Sequence, residues 1–235
     1  VRRRCVFTTH TPVPAGHDQF PADMARQVLG NACVDALMAG CCLNGTLNMT
    51  FLALFFSHYV NGVAMRHGEI SRTMFPDYPI NSITNGVHAA TWTTPPFQRL
   101  YDQHFPEWRR DNLYLRYAVS IPVGEIQQAH AEVKRDLLAE VERRSQVRLD
   151  PMVLTIGFAR RATPYKRPDL LFTDLERLRR VVRQVGPLQV LYGGKAHPAD
   201  AEGKQLIRRI FDAAAALGSD VRVVYVPEYD MALAK

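Results

Sequence analysis

The sequence predicts an α/β fold, and three observations carry that prediction. After Pro151, short apolar runs alternate with amphipathic segments: strands at 152–156, 188–192 and 221–226, helices at 168–185 and 199–217. Continuous apolar strands separated by such helices make a parallel sheet covered on both faces. The chain has 235 residues, 47% hydrophobic and 22% charged, enough for one large or two ordinary globular domains with a sizeable core. Leu149-Asp150-Pro151 marks the expected boundary between a domain at 1–149 and another at 150–235.

Before that boundary the elements are shorter. Residues 5–9 read as a strand ending at His10, followed by a loop that two prolines and a glycine make irregular as far as His17. Without further context these two histidines read as hydrogen-bonded loop residues. A short helix is expected at 20–29, stopped by Gly30, while 31–47 has small, mixed residues and no clear period. Asn48 is placed to cap an apolar helix at 49–56. Val60, Val63, Ala64, His67, Ile70 and Met74 recur at helical spacing, which puts His67 on an apolar face. A lone histidine there is more often a satisfied core residue than a catalytic one. Residues 83–92 read as strand–turn–strand about Asn85-Gly86, and 123–146 as a long helix with Ile126, Val133, Leu137 and Val141 on its buried stripe.

Net charge is +6, compatible with nucleic acid, an anionic surface or small phosphorylated ligands. No long basic tract and no RNA-binding aromatic motif occurs, so nucleic acid is not the expected partner. The longest apolar run, 51–56, is far too short to span a bilayer. Four cysteines at 5, 33, 41 and 42 form no CxxC pair, and they read as ordinary thiols of a reducing compartment, with no metal site. The triplets at Asn44 and Asn48 match the glycosylation pattern but matter only in a secreted protein. The expected location is the cytoplasm.

Chemistry concentrates in IGFARRATPYKRPDLL. The strand before it breaks at Gly157, and Arg160, Arg161, Lys166 and Arg167 follow within eight positions, ahead of a helix expected to begin near Pro168. Converging cations and free N–H groups at a helix start favour phosphate. Four cations after a strand fit a solvated surface turn equally well. Other loops at strand ends are 193–198 and 227–230; the former lacks the GxxxxGK[ST] spacing of a Walker loop. Arg177, Arg179, Arg180 and Arg183 form a solvated helix face.

Seven stretches in order, FTTHTPVPAGHDQFP, NMTFLAL, VNGVAMRHGEISR, ITNGVHAATW, IGFARRATPYKRPDLLF, GGKAHPADAEGK and VPEYDMALAK, cover most of the chain. Together they resemble the α-glucan phosphorylases, the glycogen and starch phosphorylases, with the bacterial short form the most similar. The resemblance implies a glycosyltransferase-B-like architecture of two domains, only partly present, with a Rossmann-like sheet in its C-terminal part. It implies transfer of a terminal glucosyl unit from an α-1,4-glucan to inorganic phosphate, giving glucose 1-phosphate with retention. It also implies pyridoxal 5'-phosphate, held as a lysine Schiff base and used through its phosphate group. By motif position Arg161 and Lys166 correspond to ligands of the substrate phosphate, and Arg160 and Lys166 approach the cofactor phosphate. His67 corresponds to the glucosyl-binding histidine, His10 to a loop histidine near the active site, and Tyr229 and Asp230 to a segment beside the cofactor phosphate. An aspartate beside a phosphate is unfavourable unless paired.

Two departures from the pattern stand out. Pro164 precedes Tyr165 where threonine is the norm, and proline restricts both itself and the residue before it. The SGTSGMK-type segment with the Schiff-base lysine has no match, so the chain reads as a central fragment, inactive alone. Glucan preference, homo-oligomer formation by the parent and allosteric control stay open. The competing expectations are a nucleotide-sugar glycosyltransferase of similar fold and a non-catalytic glucan-binding remnant. No pair of carboxylates with glycosidase roles stands out.

Overall fold

A computed structural model describes residues 2–13, 16–194, 196 and 200–235. The chain divides into two compact units, 1–87 and 88–235. The split falls earlier than the 149/150 boundary because the long helix of the second unit packs on the sheet that follows it.

In the first unit, β1 (Val6–Thr9) pairs in parallel with β5 (Tyr59–Gly62), Val6 opposite Tyr59 and Thr9 opposite Gly62. A short β6 (Asn81–Ser82) joins the other side of β5. A second, antiparallel sheet contains β2 (Gln19–Pro21), β3 (Cys42–Leu43) and β4 (Thr46–Asn48), with β4 in the middle. Between them lie α1 (Ala22–Leu29) and α2 (Asn31–Cys41); the stretch without a clear period is therefore a helix and a hairpin. The cap at Asn48 forms as expected: its side chain accepts from the backbone N–H of Thr50 (2.9 Å) and of Phe51 (3.1 Å), opening α3 (Met49–Phe56). The helical period read from Val60 onward is corrected at its start. Tyr59–Gly62 is strand, because Val60 buries against Leu54, Phe75 and Ile80, and α4 (Met65–Met74) begins only after the extended Ala64.

In the second unit, the hairpin expected at 83–92 is absent. His88 instead caps the short helix α5 (Ala89–Trp92), its Nδ1 accepting from Thr91 N–H at 3.3 Å. Pro95 and Pro96 open α6 (Pro95–His104), whose Leu100 packs with Phe105, Trp108, Ile121 and Ala129. The helix α7 (Val123–Ser145) covers one face of a parallel sheet ordered β7 (Leu154–Ala159), β8 (Leu188–Gly193), β9 (Val221–Val226). Leu138 and Val141 of α7 meet Leu191, Val224 and Val226 on that face. The alternate residues Leu188, Val190, Tyr192 and Val221 point the other way, into a core with Phe172, Val182, Ile210 and Leu217. That core belongs to α8 (Leu175–Val185) and α9 (Ala201–Leu217). The central strand β8 is thus buried on both faces, as the alternating pattern requires, whereas the outer strand β7 leaves Leu154 and Ile156 exposed. Lys134 of α7 donates to the Val153 carbonyl (2.6 Å), and buried Gln189 bonds both backbone groups of Asp150.

Two strand and helix limits differ from expectation. Gly157 does not end β7, which pairs with β8 residue for residue up to Ala159–Gly193. The helix expected from Pro168 starts at Leu175, behind 3-10 turns at Pro164–Lys166 and Leu170–Phe172. Of the 193–198 loop, Lys195, His197 and Pro198 lie outside the described residues, as do Ala199 and, in the first loop, Pro14 and Ala15.

Candidate functional site

In the first unit the carboxyl ends of β1 and β5 lie side by side, so His10, next after Thr9, and Val63, next after Gly62, leave the sheet together. The Ile83–Asn85 backbone ties in here: Ile83 N–H donates to Gly62 O (2.9 Å) and Asn85 N–H to Val63 O (3.1 Å). Two glycines let α4 come close. A Cβ on Gly62 would stand 2.8 Å from His67 Nδ1, and one on Gly68 would stand 2.1 Å from Ser82 Oγ.

His67 is 8% exposed. Its Nδ1 accepts from Val63 N–H at 3.1 Å, which leaves the ring proton on Nε2. That Nε2 is buried without a partner among the described residues. A buried donor left without an acceptor costs about 1–3 kcal/mol, so Nε2 is a donor with the capacity to take an oxygen acceptor. His17 is held differently: its Nδ1 meets Thr50 Oγ1 at 2.8 Å. Burial lowers its pKa, the Thr11 backbone lies close enough to favour its protonated form in part, and a charge on His67 would lower the pKa further. His10 is exposed. The sequence pointed to His67 and His10; the contact of His17 with Thr50 carried no signal there, because it depends on how the first loop packs on α3.

In the second unit the carboxyl ends of β7, β8 and β9 align at Ala159, Gly193 and Val226. The loops that leave them interlock. Arg160 N–H donates to Gly193 O at 3.1 Å. Gly194, with φ +123°, brings its backbone so near that a Cβ would stand 2.2 Å from the Arg160 carbonyl oxygen. Only glycine fits. The Tyr225 hydroxyl donates to the Gly194 carbonyl, and the Tyr229 ring lies 3.0 Å from where a Gly193 Cβ would be.

Arg160 and Arg161 are exposed, Lys166 is half-buried, and none of the three pairs with a carboxylate among the described residues. The Lys166 ammonium sits 4.7 Å over the Tyr165 ring. Pro164 is accommodated: Thr163 is extended, as a residue before proline should be, and Pro164 opens a 3-10 turn in which Lys166 N–H returns to Thr163 O. Asp174 caps α8 by accepting from Arg177 N–H at 2.8 Å, so an anion at this place relies on side chains and loop amides instead of the helix start. A cleft of about 600 Å3 opens beside these loops on the α7 side, lined by Phe158, Ala159, Gly193, Tyr229, Asp136 and Glu140.

The sequence pattern of the family described as carbohydrate phosphorylase matches residues 17–235. The chain belongs to this family. Among curated relatives of this phosphorylase chain are a maltodextrin phosphorylase of Thermococcus litoralis, 34% identical, and a glycogen phosphorylase of Aquifex aeolicus, 35% identical. A glycogen phosphorylase of Mycobacterium tuberculosis is 31% identical. Each match covers 100% of this chain but 32%, 39% and 32% of the respective relative. The chain thus spans about a third of the length of the curated relatives it matches. The mixed α/β organisation with parallel sheets accords with a glycosyltransferase-B-like phosphorylase fragment. No helix among the described residues is long and apolar enough to cross a membrane.

Proposed function

We propose that this chain supplies the phosphate cradle and the glucosyl-binding histidine of an α-1,4-glucan phosphorylase. The single observation that carries the reading is the cluster Arg160, Arg161 and Lys166, without carboxylate partners among the described residues, at the carboxyl end of a parallel sheet. Ligands of such sheets bind there, and cations left without partners there are free to take an anion.

The reaction is transfer of a terminal glucosyl unit to inorganic phosphate, yielding glucose 1-phosphate with retention. Arg161 and Lys166 hold the attacking phosphate and keep its charge from repelling a second phosphate beside it. His67 donates from Nε2 to a sugar hydroxyl, its tautomer held by the Val63 N–H. His10 borders the same strand ends and contacts the glucan. Arg160, Lys166 and Tyr229 would hold the phosphate end of pyridoxal 5'-phosphate; two cations and a ring packed on a glycine backbone suit such a group. When bound, that group supplies proton transfer through its phosphate. In the parent, the domains divide near 149/150, just after α7.

The test is phosphorolysis by the protein at its natural length. Glucose 1-phosphate should appear from maltodextrin and phosphate, and borohydride should fix a pyridoxyl adduct. A requirement for a sugar nucleotide, with no adduct, would sink the reading.

A further inference from the structure

Arg144, in the last turn of α7, is a charged side chain only 9% exposed. All three of its guanidinium nitrogens find acceptors. Nε bonds Glu140 Oε1 at 2.5 Å, one turn back on the same helix. Nη1 bonds the carbonyl of Glu228 at 2.6 Å, and Nη2 bonds Asp230 Oδ2 at 3.0 Å. The last two residues flank Tyr229 on either side.

Both flanking residues need holding. Glu228 has φ +55°, a left-handed backbone that disfavours a non-glycine residue. Asp230 uses Oδ1 to accept from Leu233 N–H (2.8 Å) at the start of the short helix α10 (Met231–Ala234), leaving Oδ2 for the arginine. The planar fork of arginine serves acceptors in these directions; a lysine ammonium has no such fixed geometry. Tyr229 in turn lies on Gly193, and the adjacent Gly194 abuts the Arg160 backbone.

We propose that Arg144 is a positioning residue: it clamps the 228–230 turn from both sides and so sets where Tyr229 stands against the anion-binding loops. The carboxylate beside the phosphate site is thereby neutralised by Arg144, which removes the electrostatic objection to Asp230 in that place. The proposal rests on the phosphorylase reading for its catalytic consequence, but not for the clamp itself.

The test uses the natural-length protein with Arg144→Ala, alone and combined with Tyr229→Ala, and reads both amide hydrogen exchange and kinetics. Arg144→Ala should speed exchange across 228–233 by about tenfold, since a fixed turn becomes a fluctuating one. It should lower kcat/KM for phosphate by about tenfold in the wild-type background and by less than twofold in the Tyr229→Ala background, because effects routed through one residue do not add. Unchanged exchange, or an equal kinetic loss in both backgrounds, would overturn the proposal. Should Arg144→Ala fail to fold, Asp230→Asn retains the cap oxygen, sets an amide donor against Arg144 Nη2 so that this one arm of the clamp is lost, and must show the same pattern at smaller size. If the wild-type protein forms no glucose 1-phosphate, the function reading fails while the exchange measurement still decides the clamp.

Discussion

Arg161 and Arg180 have the same side chain and opposite expectations. Arg161 follows the end of β7 among cations that no carboxylate partners within the described residues, whereas Arg180 stands on the exposed side of α8. Arg161→Ala in the natural-length protein should lower kcat by about 10²–10³-fold, the usual cost of one charge-stabilising donor. Arg180→Ala should leave it within about twofold. A steady-state assay of glucose 1-phosphate formation separates the two, and equal effects would remove Arg161 from the site. Pro164 yields a prediction of the opposite kind. Its neighbours already have the geometry it demands, so it restricts the unfolded chain without straining the folded one. Pro164→Ala should therefore lower stability, by about 0.4–1 kcal/mol in urea unfolding.

Among elements, the parallel sheet was legible because β8 and β9 are short apolar runs, interrupted only by Gln189 and Arg222 and alternating with amphipathic helices. The start of α8 was not legible. Asp174 outcompetes Pro168 as a helix opener, but only once Phe172 has been drawn into the core and the chain turned there. Tyr59–Gly62 misled for a related reason: its spacing fits a helix, yet pairing with β1, fifty residues earlier in the chain, makes it strand. The candidate site divides the same way. Arg161, Lys166 and His67 were named through motif position, while the contacts of Arg144 and Gly194 arise only from where packing carries them. The packing itself is testable at Ile210 of α9, 1% exposed between Val190 and Val221. Ile210→Ala should cost about 2–5 kcal/mol in denaturant unfolding. A loss below about 1 kcal/mol would mean that α9 does not seal that face.

For the molecule as a whole, acid sensitivity follows from the carboxylates around α7. Hydrogen bonds from Arg143 and then Arg144 hold the Glu140 carboxyl at about 2, below its ordinary 4.5. Asp230 is lowered too, by the Leu233 N–H and then by Arg144. A depressed folded-state pKa contributes stability that is complete above the unfolded value and is lost as pH falls through the folded one. The melting temperature should therefore drop between about pH 4.5 and pH 2, and Glu140→Gln should flatten that descent; an unaltered descent would place the acid-labile group elsewhere. The strand order carries a consequence for how the chain acquires its structure. In the second unit each strand finds the next one along the chain, Leu154 meeting Leu188 and Leu188 meeting Val221. In the first unit Val6 must wait for Tyr59, with three helices and the three strands of the antiparallel sheet between them. Closing the longer loop is slower, since more chain entropy is lost before any contact compensates. The unit that comes earlier in this stretch of chain is thus the one whose parallel pairing closes over the greater span, and the loops that follow β7, β8 and β9 have the shorter path to their final shape.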